Sequence, residues 1–211
     1  MNLRSHLPKR ITNPAKSNLI TVLENSQDVS YILDSQFQIK YCNPAWDRFA
    51  HNNGGHRLTT STVMGTPVWD FTPWELQPFF AMVFDYVQSR RDVWRHTYDC
   101  SSPRVHRLCE MSVHPLSNPE GYLVTNSMLI QEPHAHTFDP NPLRYYDSAS
   151  RVLMCSHCRC TRALADPLAW DFVPSHLGLS PEQVDSGLCP LCRAYLYAPS
   201  LWLTDSVVHS A

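Results

Sequence analysis

The sequence predicts an α+β protein: a five-stranded antiparallel sheet with its helices gathered on one face, followed by a small cysteine-bound module. Two observations carry this prediction. Strand-like segments come in groups of two and three with the helical segments between them, which points to antiparallel pairing and not to βαβ alternation. Five of the eight cysteines crowd into residues 155–192, far from the segments that build the sheet. With 43% hydrophobic and 17% charged residues, the 211-residue chain can bury a core and is not a disordered polymer.

The elements follow in order. Val29 to Leu33 is a short apolar run, Asp34-Ser35-Gln36 supplies turn chemistry, and Phe37, Ile39 and Tyr41 alternate with Gln38, Lys40 and Cys42. That pattern predicts a hairpin. Asn43-Pro44 is an N-cap and first-turn pair, so Ala45 to Ala50 continue as a short helix that His51-Asn52-Asn53-Gly54-Gly55 ends. Thr72-Pro73-Trp74-Glu75 has the form of a capping box ahead of Leu76, Phe80, Val83 and Val87 at helical spacing. Pro78 would kink a helix begun at Pro73, so the regular part is expected to begin only at Pro78. Trp94 to Cys100, Val105 to Val113 and Tyr122 to Ile130 then read as three strands, separated by Ser101-Ser102-Pro103 and Asn118-Pro119-Glu120-Gly121.

These residues resemble a PAS domain over roughly residues 18–131. The similarity lies in Tyr31-Ile32-Leu33-Asp34, in Ile39 to Trp46 with Asn43-Pro44-Ala45 opening a helix, and in Val63-Met64-Gly65 ahead of Trp69-Asp70-Phe71. The resemblance implies a sensor fold able to enclose a small ligand between sheet and helices. Trp69, Phe80 and Phe84 are the residues expected to line such a cavity, against a fully packed core as the alternative. Met111 and Asn126, on neighbouring strands, are the next candidates, since a buried Asn needs partners. The resemblance also implies a homodimer, with Leu19 to Leu23 part of the seam, and a protein partner in a signalling pathway. The Asn-Cys-Arg context of photoreactive flavin domains is absent. The helix from Trp74 to Arg91, where haem-binding PAS domains often place their ligand, contains no histidine. His51, His96, His106 and His114 read as surface or strand-face residues, and Cys100 and Cys109 as small core residues.

Cys155-Ser156-His157-Cys158 and Cys189-Pro190-Leu191-Cys192 form two Cys-x-x-Cys pairs separated by residues 159–188. Two-residue spacing turns both sulfurs of a pair toward one point, and two such knuckles supply the tetrahedral four-thiolate shell that Zn2+ accepts. A closed shell leaves no position for water or substrate, so the zinc is expected to be structural, in a zinc-ribbon-like module. About 45 residues cannot bury enough apolar surface to fold alone, and metal binding would supply the difference. His157 and Cys160 are alternative ligands, and a redox-active dithiol is the competing chemistry. The segment also resembles a cysteine-pair segment found after sensor domains in bacterial signalling proteins, through Cys155, Cys158, Arg162, Trp170, Pro174, Gly187, Leu188, Cys189, Pro190, Cys192 and Tyr195. Ser186 stands where that segment commonly has a histidine.

The expected organisation is a tail (1–17), the PAS domain (18–132), a linker (133–152), the zinc module (153–197) and a C-terminal tail (198–211). The formal net charge of −2 disfavours nucleic acid as a partner. No run approaches the ~18 apolar residues of a membrane span and no apolar signal core opens the sequence, so a cytoplasmic protein is expected. Residues 1–17 carry Arg4, Lys9, Arg10 and Lys16 without an acid, and read as a basic tail rather than an organellar presequence. No nucleophile elbow, phosphate loop, HExxH or kinase signature occurs, so no enzyme is expected. The expectation is a non-enzymatic sensor or adaptor. The alternative is a redox sensor whose zinc-bound cysteines oxidise and release metal.

Overall fold

A computed structural model describes residues 14–117, 120–134, 141 and 144–198. The expected tails lie largely outside these residues, as do Asn118 and Pro119 of the expected last turn. Helix α1 (Pro14–Asn25) leads into the hairpin of β1 (Val29–Asp34) and β2 (Ile39–Cys42). Helices α2 (Pro44–Asn52) and α3 (Thr60–Val63), a 3-10 turn at Val68–Phe71 and α4 (Gln77–Arg90) follow. Strands β3 (Trp94–Asp99), β4 (Val105–Ser117) and β5 (Glu120–Pro133) complete an antiparallel sheet of order β2-β1-β5-β4-β3. The expected five strands and their antiparallel pairing are therefore present.

Strand β5 enters the middle of the sheet, pairing Tyr122 with Leu33 of β1 and Val124 with Val113 of β4. These residues meet Val63 of α3 and Phe79, Val83, Phe84 and Val87 of α4 in one core. The close approach of β5 to β1 requires Gly121, where a Cβ would collide with the Leu33 carbonyl oxygen. In the first hairpin, Asp34 Oδ1 accepts from the backbone N–H groups of Gln36 and Gln38, both at 2.9 Å. This turn holds Phe37 at a φ of 61°. The cost of left-handed backbone at an aromatic residue is offset by its ring, which packs on Trp69, Phe84 and Tyr122.

Two sequence expectations about helix starts resolve differently. Asn43 caps α2 as expected, accepting from Trp46 N–H. Its amide does more than cap. Fully buried, it also accepts from Ser30 N–H at 3.0 Å and donates to the carbonyls of Leu23 and Asp28 at 3.0 and 2.8 Å, tying α1, β1 and α2 together. The capping box at Thr72 does not form. Helix α4 starts at Gln77 with Pro78 in its first turn, and the Gln77 side chain donates back to the Trp69 and Thr72 carbonyls. Pro78 has no N–H to give and cannot follow a helical turn begun at Pro73, so Trp74 is left exposed and Glu75 is turned inward.

The second unit is a four-stranded sheet of order β8-β7-β6-β9, from β6 (Val152–Cys155), β7 (Thr161–Arg162), β8 (Trp170–Asp171) and β9 (Val184–Gly187), closed by α5 (Pro190–Tyr197). Strands β6 and β9 run parallel, with the Arg151–Asp185 ion pair beside them. Part of the expected linker belongs to this unit: Tyr145 is buried against Val152, Ala163 and Val173, and its hydroxyl donates to Asp171 at 2.9 Å. Aromatic burial thus draws residues 144–152 into the module, and the rest of the expected linker falls mostly outside the described residues. Nor is the module a separate body, because Leu196 of α5 is fully buried in the core of the first unit.

Replacing Asn43 by Ala removes the α2 cap and strands the Ser30 N–H, while the Leu23 carbonyl keeps only its bond from Ser26 N–H. Urea unfolding followed by circular dichroism should show a loss of about 2–4 kcal/mol, with wild-type stability counting against this role.

Candidate metal centre and adjoining cavity

The parallel β6–β9 pair explains how cysteines 31 residues apart meet. Cys155 ends β6 directly opposite Gly187, which ends β9, so the two knuckles leave the same edge of the sheet. Backbone donors orient the sulfurs: Cys155 Sγ accepts from Cys189 N–H at 3.4 Å and Cys189 Sγ from Cys192 N–H at 3.3 Å. Cys189 is also the N-cap of α5, with Pro190 in the first turn where a missing N–H costs nothing. The ligand atoms of Cys155, Cys158, Cys189 and Cys192 all lie within 4.8 Å of one another. The Cys158 and Cys189 sulfurs are 3.8 Å apart. A tetrahedron with metal–sulfur bonds of about 2.3 Å has edges of about 3.8 Å, so these four residues can hold a metal ion.

The electrostatics agree. Hydrogen bonds from Cys155, Cys160 and Cys192 drive the Cys158 thiol far below its ordinary range, against the effect of burial. The same sharing, led by Cys155, drives Cys192 far above it. Four clustered sulfurs cannot all ionise without a cation between them. Cys160 stays outside the four: its carbonyl accepts from Cys155 N–H at 2.8 Å, and its thiol is raised by facing Cys158. His157 is also outside. Its Nδ1 lies 3.3 Å from Cys192 Sγ and its Nε2 lies 2.8 Å from Nε2 of His96 on β3. With Cys192 as thiolate, His157 Nδ1–H donates to sulfur, leaving its Nε2 to accept from His96 Nε2–H.

His96 was expected on a surface or strand face. It lies on the inward face, between Phe79, Trp94 and Tyr195. Contacts around it extend the joint: Tyr197 of α5 donates to the Glu75 carbonyl at 2.6 Å, and Leu188 packs against both the core of the first unit and the cysteine cluster. No motif in the sequence signals the His96–His157 pair, because its members are 61 residues apart.

A cavity of about 470 Å3 lies beside this joint. Trp69, Phe80, Phe84 and Met111 line it, and the module contributes Ser156, His157 and Arg159. Asn126 is not among the lining residues. Its amide accepts from Tyr98 O–H at 2.9 Å and reaches the Val29 carbonyl at 3.4 Å, so its polar needs are met within the protein and it holds Tyr98 at the cavity wall. Cys100, taken from the sequence as a core residue, lines the cavity as well, and a hydrogen bond from Cys109 lowers its thiol to about 7.

A profile described as the PAS fold matches residues 23–132. This chain belongs to the PAS-fold family. Among solved structures, the PAS domain of Bordetella pertussis BvgS is similar at 14% identity and a TM-score of 0.44, over 56% of this chain and 88% of that one. The PAS domain of the nitrogen regulation protein NR(II) from Vibrio parahaemolyticus shares 16% identity at a TM-score of 0.38, over 53% and 97%. A PAS domain from a two-component sensor histidine kinase shares 15% at 0.35, over 54% and 96%. Comparison with curated proteins finds no match. Among the described residues no helix is long and apolar enough to cross a membrane.

Burial, with the neighbouring His157 adding to it, pushes His96 down to about 4 from an ordinary 6.5. A folded-state pKa below the unfolded one means that the unfolded chain takes up the proton first. The contribution of neutral His96 is therefore complete above pH 6.5 and is lost as pH falls toward 4. Between pH 7 and 5 the wild type should lose on the order of 1 kcal/mol more than His96→Gln. Thermal unfolding across this range measures the difference, and parallel curves would remove His96 from the joint's energetics.

Proposed function

We propose that this protein is a non-enzymatic signalling sensor or adaptor, in which the PAS domain receives a cue or mediates self-association and a structural zinc module presents a surface to a protein partner. Membership of the PAS-fold family supports the sensor role. The observation that carries the reading is the four-sulfur cluster whose two knuckles lead directly into the PAS side, one through His157 to His96 and the other through α5 to Leu196. Zinc is the metal favoured by four thiolates in tetrahedral array. In the same reading Zn2+ only cross-links: all four protein ligands are sulfur, and no water-bearing position is needed.

The surface for a partner is supported by apolar side chains that the module leaves in solvent. Leu191 and Tyr195 are 79% and 47% exposed and stand one helical turn apart on α5, and Leu168 is 77% exposed. Self-association is supported on the PAS side by Val22 of α1 and by Met128, Leu129 and Ile130 of β5, all exposed. A cytoplasmic signalling partner and a homodimer are the corresponding assignments.

Elemental analysis of the purified chain should give one zinc per chain, and X-ray absorption four sulfurs at about 2.3 Å. Cys189→Ser should abolish stoichiometric binding and expose Trp170, which packs on the cysteines, as a red shift in fluorescence. A water or other light-atom ligand in the shell would overturn the structural assignment. The redox alternative draws support from Cys160, a fifth thiol beside the half-buried Cys158. Mild hydroperoxide separates the two: zinc retained at full stoichiometry leaves the structural reading, and zinc release with disulfide formation favours the redox one.

A further inference from the structure

We propose that the cavity is a binding site shared by both units for a planar aromatic monoanion, with Arg159 of the first cysteine knuckle as its anion anchor. The inference rests on the sensor reading and names the class of its cue. At about 470 Å3 the cavity lies within the ~300–1,000 Å3 typical of small-molecule sites. Much of its lining is aromatic and soft: Trp69 and Phe84 meet edge to face at 5.8 Å, and Phe80, Tyr98 and Met111 add to a surface suited to a flat ring system.

Charge decides the polar end. One acidic and one basic side chain line the cavity, Asp99 and Arg159. Both oxygens of Asp99 are taken by its own turn, Oδ1 by Ser101 N–H and Oδ2 by Ser101 O–H, each at 2.9 Å. The Arg159 guanidinium makes no hydrogen bond or carboxylate ion pair among the described residues, and the neighbour its charge acts on is the Cys100 thiol, which it helps to lower. A guanidinium at an apolar cavity without a carboxylate partner favours a ligand carboxylate or sulfonate, which it can grip through two parallel N–H donors.

Arg159 is held at the cavity by the knuckle itself. Its backbone adopts a left-handed φ of 64°, and its N–H donates to the Cys155 carbonyl at 3.0 Å. That positive φ falls at the residue after Cys158, in the turn of the knuckle, and the Arg159 charge is close enough to Cys100 on the PAS side to lower its thiol. The anchor is therefore supplied by the module and the ring site by the PAS domain. Ligand would bind well only when the two are docked, and by linkage its binding would stabilise the docked state.

The full chain titrated with 8-anilinonaphthalene-1-sulfonate, a fused aromatic ring with one anion, tests this against N-phenyl-1-naphthylamine, the same rings without the charge. Wild-type protein should bind the sulfonate at one saturable site. Arg159→Gln should weaken the sulfonate about tenfold and leave the neutral probe within about twofold, Arg159→Lys should recover part of the loss, and Phe80→Ala should weaken both. Rising salt should weaken the sulfonate alone in the wild type, a readout that needs no variant. Sulfonate affinity indifferent to both Arg159→Gln and salt, or no saturable binding of either probe, overturns the proposal. Zinc measured on the same samples keeps the two readings apart: Arg159-dependent binding by a metal-free protein overturns the zinc assignment and supports the cavity, and a fully zinc-loaded protein without probe binding does the reverse.

Discussion

The convergence of four cysteine sulfurs at the end of the parallel β6–β9 pair is the constraint on which the arrangement of the second unit depends. Each sulfur is buried or half-buried, and the thiols share protons so unequally that Cys158 is driven far down in pKa and Cys192 far up. A divalent cation held by the four sulfurs would relieve that frustration. Because Cys189 caps α5, whatever fixes the sulfurs also fixes the start and direction of that helix.

The direction of α5 matters because its far end is not in the module's own core. Leu196 is buried among residues of the PAS sheet and α4, and Tyr197 donates to the Glu75 carbonyl in the bend ahead of α4. The failed capping box at Thr72 makes that bend: with the helix delayed to Gln77, Glu75 turns inward and Ser156 Oγ can approach its carboxylate at 3.4 Å. The His96–His157 contact closes the same joint from the strand side. The first unit and the first knuckle thus meet around one cavity.

Much of this was legible in the chain. The hairpin, the Asn43-Pro44 cap and the two Cys-x-x-Cys pairs are encoded within a few residues and appear as their spacing predicts, except that Phe37 stays in the turn and Cys42, not Tyr41, joins the core. Trp69, Phe80, Phe84 and Met111 line one cavity. Asn126 was singled out for the right reason, its polarity in an apolar strand, but its partners proved to be Tyr98 and the Val29 backbone. Arg159 and His96 carried no signal: an arginine after a knuckle and a histidine in a strand are ordinary until something distant faces them.

Taken alone, the sequence determined the element types, the strand grouping and the identity of four clustered thiols, because periodicity, capping and ligand spacing are local properties of a chain. It also determined that residues 23–132 belong to the PAS fold. Only the tertiary structure decided that β6 and β9 pair in parallel, that Tyr145 belongs to the module, that α5 docks into the PAS core, and that Arg159 faces an aromatic wall built about 50–90 residues earlier in the chain. Those are contacts between segments far apart in sequence. Their stability comes from burial and charge complementarity that neither segment possesses until the other is in place.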